Sequence, residues 1–95
     1  MTGTIQVAVK LFGGLRGLVD AFPLPVVLPE RATVGDLLSA LSATHPEVGR
    51  RLIAGTREGY VNVLVDGRNV HLLVGLETPL ADGTNVAFVP PVGGG

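Results

Sequence analysis

The sequence contains no cysteine, which excludes disulfides, thiolate nucleophiles and cysteine-ligated metal centres together. Its two histidines, His45 and His71, stand far apart with no carboxylate nearby in a ligand pattern, so no metal site is expected. Tryptophan is absent, aromatics make up 4% of residues and the formal net charge is −1. General nucleic-acid binding needs a strongly cationic surface, and the arginines here are scattered apart from Arg50-Arg51, so no nucleic-acid partner is expected. No apolar run approaches the roughly 18 residues of a membrane span. The greasiest stretch, Leu18 to Leu28, is broken by Asp20, Pro23 and Pro25. With neither the basic segment nor the compact apolar segment of a secretory signal at the N-terminus, a soluble, cytoplasmic protein without membrane attachment is expected. A Gly-x-Ser-x-Gly elbow and a Walker loop are also missing, which leaves self-contained catalysis few residues to work with.

What is present is a chain of 95 residues, 46% of them apolar, enough for one small domain with one hydrophobic core. From Thr4 to Leu11 the residues alternate, with Ile5, Val7, Val9 and Leu11 on one face and Gln6, Ala8 and Lys10 on the other, as in a half-buried strand. Gly13, Gly14 and Gly17 follow. A phosphate-binding loop there needs a helix opening next, and Asp20 to Pro25 leaves no room for one, so the glycines are assigned to a wide hairpin connection. Leu24, Val26 and Leu28 form a second strand, placed at a sheet edge by Pro25.

Pro29 to Ala32 turns the chain, and Thr33 with Asp36 has the spacing of a helix-capping pair. Val34, Leu37, Leu38 and Leu41 recur at helical spacing, with Ser39, Ala40 and Ser42 expected to face outward and the helix to end near Thr44. A second, short helical segment is predicted from Pro46 to Ile53, weakened by Gly49, with Gly55 to Gly59 as loop. Three strands complete the order: Tyr60 to Val65, a short one around Val70 to Leu73 after the Asp66-Gly67 turn, and Thr84 to Val89 after Asp82-Gly83. This ββαβββ order predicts a two-layer α+β domain of β-grasp type, a mixed sheet of about five strands with one main helix packed across it. The final strand is expected inside the sheet, beside the first.

The domain is assigned to residues 1–91, and residues 92–95 to a flexible glycine tail. Pro90-Pro91-Val92-Gly93-Gly94-Gly95 closes the sequence, and glycines without side chains cannot join a packed core. Fully extended, the four residues from Val92 reach roughly 13–14 Å, thin enough for a narrow tunnel. Composition alone leaves two readings open: a solvated end, or a working terminus with the Gly95 carboxylate as its reactive group.

Three stretches bear on that choice. Lys10-Leu11-Phe12-Gly13-Gly14-Leu15-Arg16 follows the first strand, and Thr33-Val34-Gly35-Asp36-Leu37-Leu38 opens the helix. Gly75-Leu76-Glu77-Thr78-Pro79-Leu80-Ala81-Asp82-Gly83 leads on to the glycine tail. Over almost its whole length the chain resembles the ubiquitin-like sulfur carriers: the small subunit of molybdopterin synthase, the thiamine sulfur carrier and the carrier of a cysteine-synthesis route. Tyr60 to Val70 is most similar to the longer members, including the cysteine-pathway carrier and archaeal protein modifiers. Two features depart from the family pattern. Thr84 and Asn85 stand where acidic residues usually follow the Asp-Gly turn, and the tail has three glycines where two are the norm.

The resemblance implies a carrier rather than an enzyme, binding no cofactor of its own. An E1-like adenylating enzyme would use ATP and Mg²⁺ to convert Gly95 into an acyl-adenylate, and a sulfur donor would displace AMP to leave a terminal thiocarboxylate. The acceptor would be a synthase large subunit or a sulfhydrylase, with the molybdopterin-synthase type favoured. Pro90, Pro91, Val92, Gly93 and Gly94 would thread the partner's active site, and Phe12, Arg16 and Val89 would form a docking patch. From the residues alone, Phe12 also fits the core, Val89 an ordinary strand and Arg16 a solvated loop. Competing functions are conjugation through Gly95 to target lysines, a permanent subunit of a catalytic complex, and a plain interaction module. Lys10, the only lysine, would confine self-conjugation to itself or the N-terminus.

Overall fold

The computed structural model describes residues 3–58, 61–70 and 75–89. Strand β1 spans Thr4–Leu11, as its alternation predicts, with Ile5, Val7, Val9 and Leu11 buried. The connection to β2 (Leu24–Pro29) contains one short 3-10 segment, Gly13–Leu18, and the two strands pair antiparallel. Helix α1 (Val34–Thr44) begins at a capping box: the Asp36 N–H donates to Thr33 Oγ1 at 3.2 Å and the Thr33 N–H to Asp36 Oδ2 at 2.9 Å. Two otherwise orphaned backbone donors are satisfied there, and Asp36 complements the positive end of the helix dipole. Val34, Leu37, Leu38 and Leu41 face the core.

Helix α2 runs Pro46–Glu58, thirteen residues, two more than α1. The predicted end at Ile53 and the predicted loop from Gly55 are therefore corrected: both glycines lie inside the helix and both are buried. Each marks a close approach. A Cβ on Gly49 would lie 2.4 Å from the Cα of Ser42, and one on Gly55 would lie 2.4 Å from Val61 Cγ2. Ser42 is consequently half-buried against α2 instead of facing outward, its hydroxyl donating to the Leu38 carbonyl at 3.0 Å. The helix thus trades propensity for contact. Gly49→Ala gains helix propensity of about 1 kcal/mol but overpacks against backbone that has no rotamer to change, so a net loss of about 1–2 kcal/mol is expected. Urea denaturation checks it; a stabilised variant would contradict the packing.

Strands β3 (Asn62–Val65) and β4 (Arg68–Asn69) form a tight hairpin. Asp66 and Gly67 both have positive φ, 48° and 84°, as a two-residue hairpin turn requires. This places β4 two residues earlier than the expected strand at Val70, and His71 to Leu73 of that expectation lie outside the described residues. The predicted β3 began at Tyr60, which also lies outside them. Strand β5 (Asn85–Val89) lies between β1 and β3, parallel to the first and antiparallel to the second, giving the order β2-β1-β5-β3-β4. Both sequence expectations hold here: β5 inside the sheet, and β2 with its Pro25 at the edge.

Both helices belong to one core, with Leu37, Leu41, Val48 and Leu52 buried alongside the strands' Val7, Val9, Val63, Val86 and Phe88. The Gly75 to Gly83 stretch is tied to the sheet and to the start of α1 by its own bonds. Val34 N–H donates to the Thr78 carbonyl at 3.0 Å and Leu80 N–H to the Ala32 carbonyl at 2.8 Å. Buried Thr78 donates its hydroxyl to the Gly75 carbonyl at 2.6 Å, and Asp82 Oδ1 accepts from the Gln6 N–H at 2.8 Å. The Leu-x-Thr-x-Leu-x-Asp-Gly pattern thus has a structural cause. Among the described residues no helix is long and apolar enough to cross a membrane.

Candidate functional site

Helices cover one face of the sheet; the other face carries the candidate site. The register β1–β5–β3 turns Lys10, Ala87 and Leu64 to that outer face as neighbours, because Lys10 pairs with Ala87 and Ala87 with Leu64. Two residues along β5, Val89 stands beside Asn62 on the same face. At the end of β1 the Phe12 N–H donates to the Phe88 carbonyl at 3.2 Å, extending the ladder by one residue and holding Phe12 next to the end of β5. Together Lys10, Phe12, Leu64, Gly67, Asn85, Ala87 and Val89 line an open, largely apolar concavity of about 420 Å³.

Two predicted patch residues, Phe12 and Val89, meet in this concavity. Phe12 is not core: it is 38% exposed. Arg16 is not among the lining residues, and its guanidinium carbon lies 4.5 Å above the Phe22 ring. Phe22 in turn meets Phe12 edge-on, with centroids 5.6 Å apart and planes at 85°. An arginine on an aromatic face is held by the ring's negative quadrupole, so Arg16 is a stacked cation and not a loose loop charge. The three side chains form an exposed cluster in which Phe22 is 42% exposed. Pro90, Pro91, Val92, Gly93, Gly94 and Gly95, the other predicted site residues, lie outside the described residues, with Pro90 following Val89 directly in sequence.

Sequence reasoning missed Phe22, Leu64 and Ala87, and placed Lys10 on the solvent face of the first strand without assigning it to the site. Leu64 and Ala87 did carry a signal. Each is an apolar residue at the strand position where alternation puts the solvent face. Phe22, in an irregular stretch between Asp20 and Pro23, carried none. Thr84 and Asn85, which follow the Asp82-Gly83 turn, divide between core and surface. Thr84 is buried, its hydroxyl accepting from the Ala81 N–H at 3.2 Å, whereas Asn85 lines the concavity. Among the described residues no group of three or more His, Asp or Glu is placed to hold a metal ion. Glu47 and Arg50, on the exposed start of α2, pair with each other, and the hydrogen bond from Arg50 holds the Glu47 carboxyl below its usual range.

A mixed sheet with its last strand inserted beside its first, crossed on one face by helices, defines a ubiquitin-like β-grasp protein. Residues 9–95 match the ThiS family, and the chain belongs to it. It is 37% identical to small archaeal modifier protein 3 of Haloferax volcanii over 92 residues, covering 96% of this chain and all of that one. Over 67 residues it is 34% identical to the sulfur carrier protein CysO of Mycobacterium tuberculosis, covering 66% of this chain and 72% of the relative. The solution structure of small archaeal modifier protein 1 from Methanosarcina acetivorans superposes with a TM-score of 0.76 at 32% identity, covering 98% of this chain and 99% of that one. CysO of Amycolatopsis orientalis, crystallised in complex with BexX, gives a TM-score of 0.70 at 27% identity, covering 94% and 99% of the two chains. The relatives are thus small modifier and sulfur carrier proteins, and one of the carriers forms a complex with a partner protein.

Proposed function

We propose that this protein is a sulfur carrier whose Gly95 carboxylate, as the terminal group of the working form, is activated by a partner and converted to a thiocarboxylate. The observation that carries the proposal is the family match from residue 9 through the glycine tail, on a strand, β5, fixed between two neighbours. A carboxylate is a poor acyl donor. Attack of a Gly95 carboxylate oxygen on the α-phosphorus of ATP, with Mg²⁺ on the partner, releases pyrophosphate and leaves an acyl-adenylate. Hydrosulfide then attacks the carbonyl carbon, the C–O bond to AMP breaks, and the thiocarboxylate remains. A persulfide donor gives an acyl disulfide first, which a thiol reduces. With no cysteine in the chain, no internal thiol competes for the activated carbonyl.

The outer-face concavity is the surface on which the adenylating partner docks, with Phe12 and Val89 as apolar anchors and the Arg16–Phe22 pair at their side. Sulfur passes from Gly95 to a synthase large subunit, of molybdopterin-synthase type, or to a sulfhydrylase in cysteine formation. A second reading is favoured by the full-length similarity to a small archaeal modifier protein: the same adenylate is attacked by a lysine amine of another protein, forming an isopeptide bond through Gly95.

The test is reconstitution. The adenylating enzyme from the same cells, with ATP, Mg²⁺ and sulfide, should release pyrophosphate in the presence of this protein and leave sulfur on Gly95. Pyrophosphate release without sulfur on the chain, together with Gly95 adducts on other proteins' lysines, would replace the carrier reading by the modifier one. In the same assay Phe12→Ser should raise KM about tenfold, the loss of one aromatic anchor, with only the small fall in melting temperature expected from losing the Phe12–Phe22 contact. An unchanged KM would remove Phe12 from the docking surface.

A further inference from the structure

We infer that the outer-face concavity selects its partner by a carboxylate, and that Lys10 is the residue that reads it. The inference rests on the reading that this face docks a partner, and adds the chemistry that partner must present. Lys10 is the chain's only lysine and, among the described residues, the one charged side chain that lines the concavity. It is half-buried, flanked by Phe12, Leu64, Ala87 and Val89, and among the described residues its amine has no hydrogen-bond or ion-pair partner. Asp66, in the turn with Gly67, accepts from the Asn85 N–H at 2.9 Å, and Asp82 accepts from the Gln6 N–H at 2.8 Å; neither is among the residues that line the concavity. Asn85, the other polar side chain in the lining, is neutral.

A partner that fills this hollow strips water from the ammonium. An ion buried without a counter-charge is strongly unfavourable, so a wholly apolar partner surface is rejected despite its fit to the walls. A partner that sets one Asp or Glu among its apolar residues supplies a charge-assisted hydrogen bond where the solvent has left. The apolar rim then gives area and Lys10 gives discrimination. The occupant is therefore a protein surface of apolar residues around a single carboxylate.

Charge variants test this in pyrophosphate exchange with the adenylating enzyme. Lys10→Glu should raise KM by about tenfold or more with kcat nearly unchanged, and Lys10→Gln by less, as expected when one charged contact at an interface is reversed or removed. Lys10→Arg should restore most of the KM lost by Lys10→Gln. Equal KM for all four proteins, or a fall in kcat in place of a rise in KM, overturns the inference. A second measurement does not depend on activation: titrating the ¹⁵N-labelled protein with N-acetyl-Leu-Glu-Leu-amide and with its Leu-Gln-Leu counterpart. Amides of Lys10, Leu64 and Ala87 should shift with the Glu peptide at several-fold lower concentration than with the Gln peptide. Equal titrations, or shifts confined to the helical face, overturn it as well. Absence of pyrophosphate exchange with the unaltered protein would count against the carrier reading, leaving the peptide comparison to decide the role of Lys10.

Discussion

Deletion of Gly94 and Gly95 should abolish activation and leave folding intact. The shortened chain still ends in a glycine carboxylate, Gly93, so the chemical group is retained and only its reach changes. Two residues of extended chain span roughly 7 Å. Because β5 is paired on both sides and cannot slide, the body cannot move forward to make up that distance without leaving its docking surface. Attack on a phosphorus requires reacting atoms about 3–3.5 Å apart, and displacement by even 1 Å can cost about 100-fold in rate. Pyrophosphate exchange should therefore fall to background. The core ends at Phe88 and its strand at Val89, among the described residues, so the melting temperature should match that of the full chain. Activation retained at more than a small fraction of the original rate would show that the terminal glycines do not set the position of the reacting group.

Phe88→Ala has the largest expected effect on stability, about 3–5 kcal/mol. Phe88 is fully buried on β5, opposite Leu11 on β1 and Val63 on β3. Truncation leaves a cavity in the middle of the sheet, where strands bonded on both sides cannot collapse to fill it. A domain of this size has a total stability of about 5–15 kcal/mol, so the variant should be marginal, with a melting temperature lower by about 15 °C or more. Urea denaturation at equilibrium measures it, and a loss below about 1 kcal/mol would contradict the placement of Phe88 at the centre of the core. The same strand carries Ala87 and Val89 on the outer face, so loosening its inner side also disturbs the concavity there.

What the sequence revealed and what it hid follow from the range of the interactions concerned. The alternation of Ile5, Val7, Val9 and Leu11, the capping pair Thr33–Asp36 and the Asp66-Gly67 turn are local patterns, and each appears in the structure as read. Helix α2 was cut short because Gly49 and Gly55 are poor helix formers when judged alone. Their reason lies in Ser42 and Val61, contacts that no local pattern displays. The apolar residues from Val70 onward predict strand β4, but the two-residue turn forces pairing at once, on polar Arg68 and Asn69.

The docking surface shows the same division. Phe12 is legible through the resemblance and Val89 through its place before the prolines, and the structure brings them into one concavity; Arg16 is not in its lining and stacks on Phe22. Leu64 and Ala87 were visible only as apolar residues on the wrong side of an alternation. The meaning of Lys10 depends on three strands being in register, which sets its half-buried side chain beside Leu64 and Ala87 in one concavity.

The central claim, that Gly95 carries sulfur, is tested most directly by the intact mass of the protein purified from its own cells, with fragmentation to locate any change. The account predicts a population in which one oxygen of the Gly95 carboxyl is replaced by sulfur, and growth of that population on incubation with the adenylating enzyme, ATP and sulfide. Chains that carry an unmodified carboxylate throughout, before and after that incubation, would contradict it.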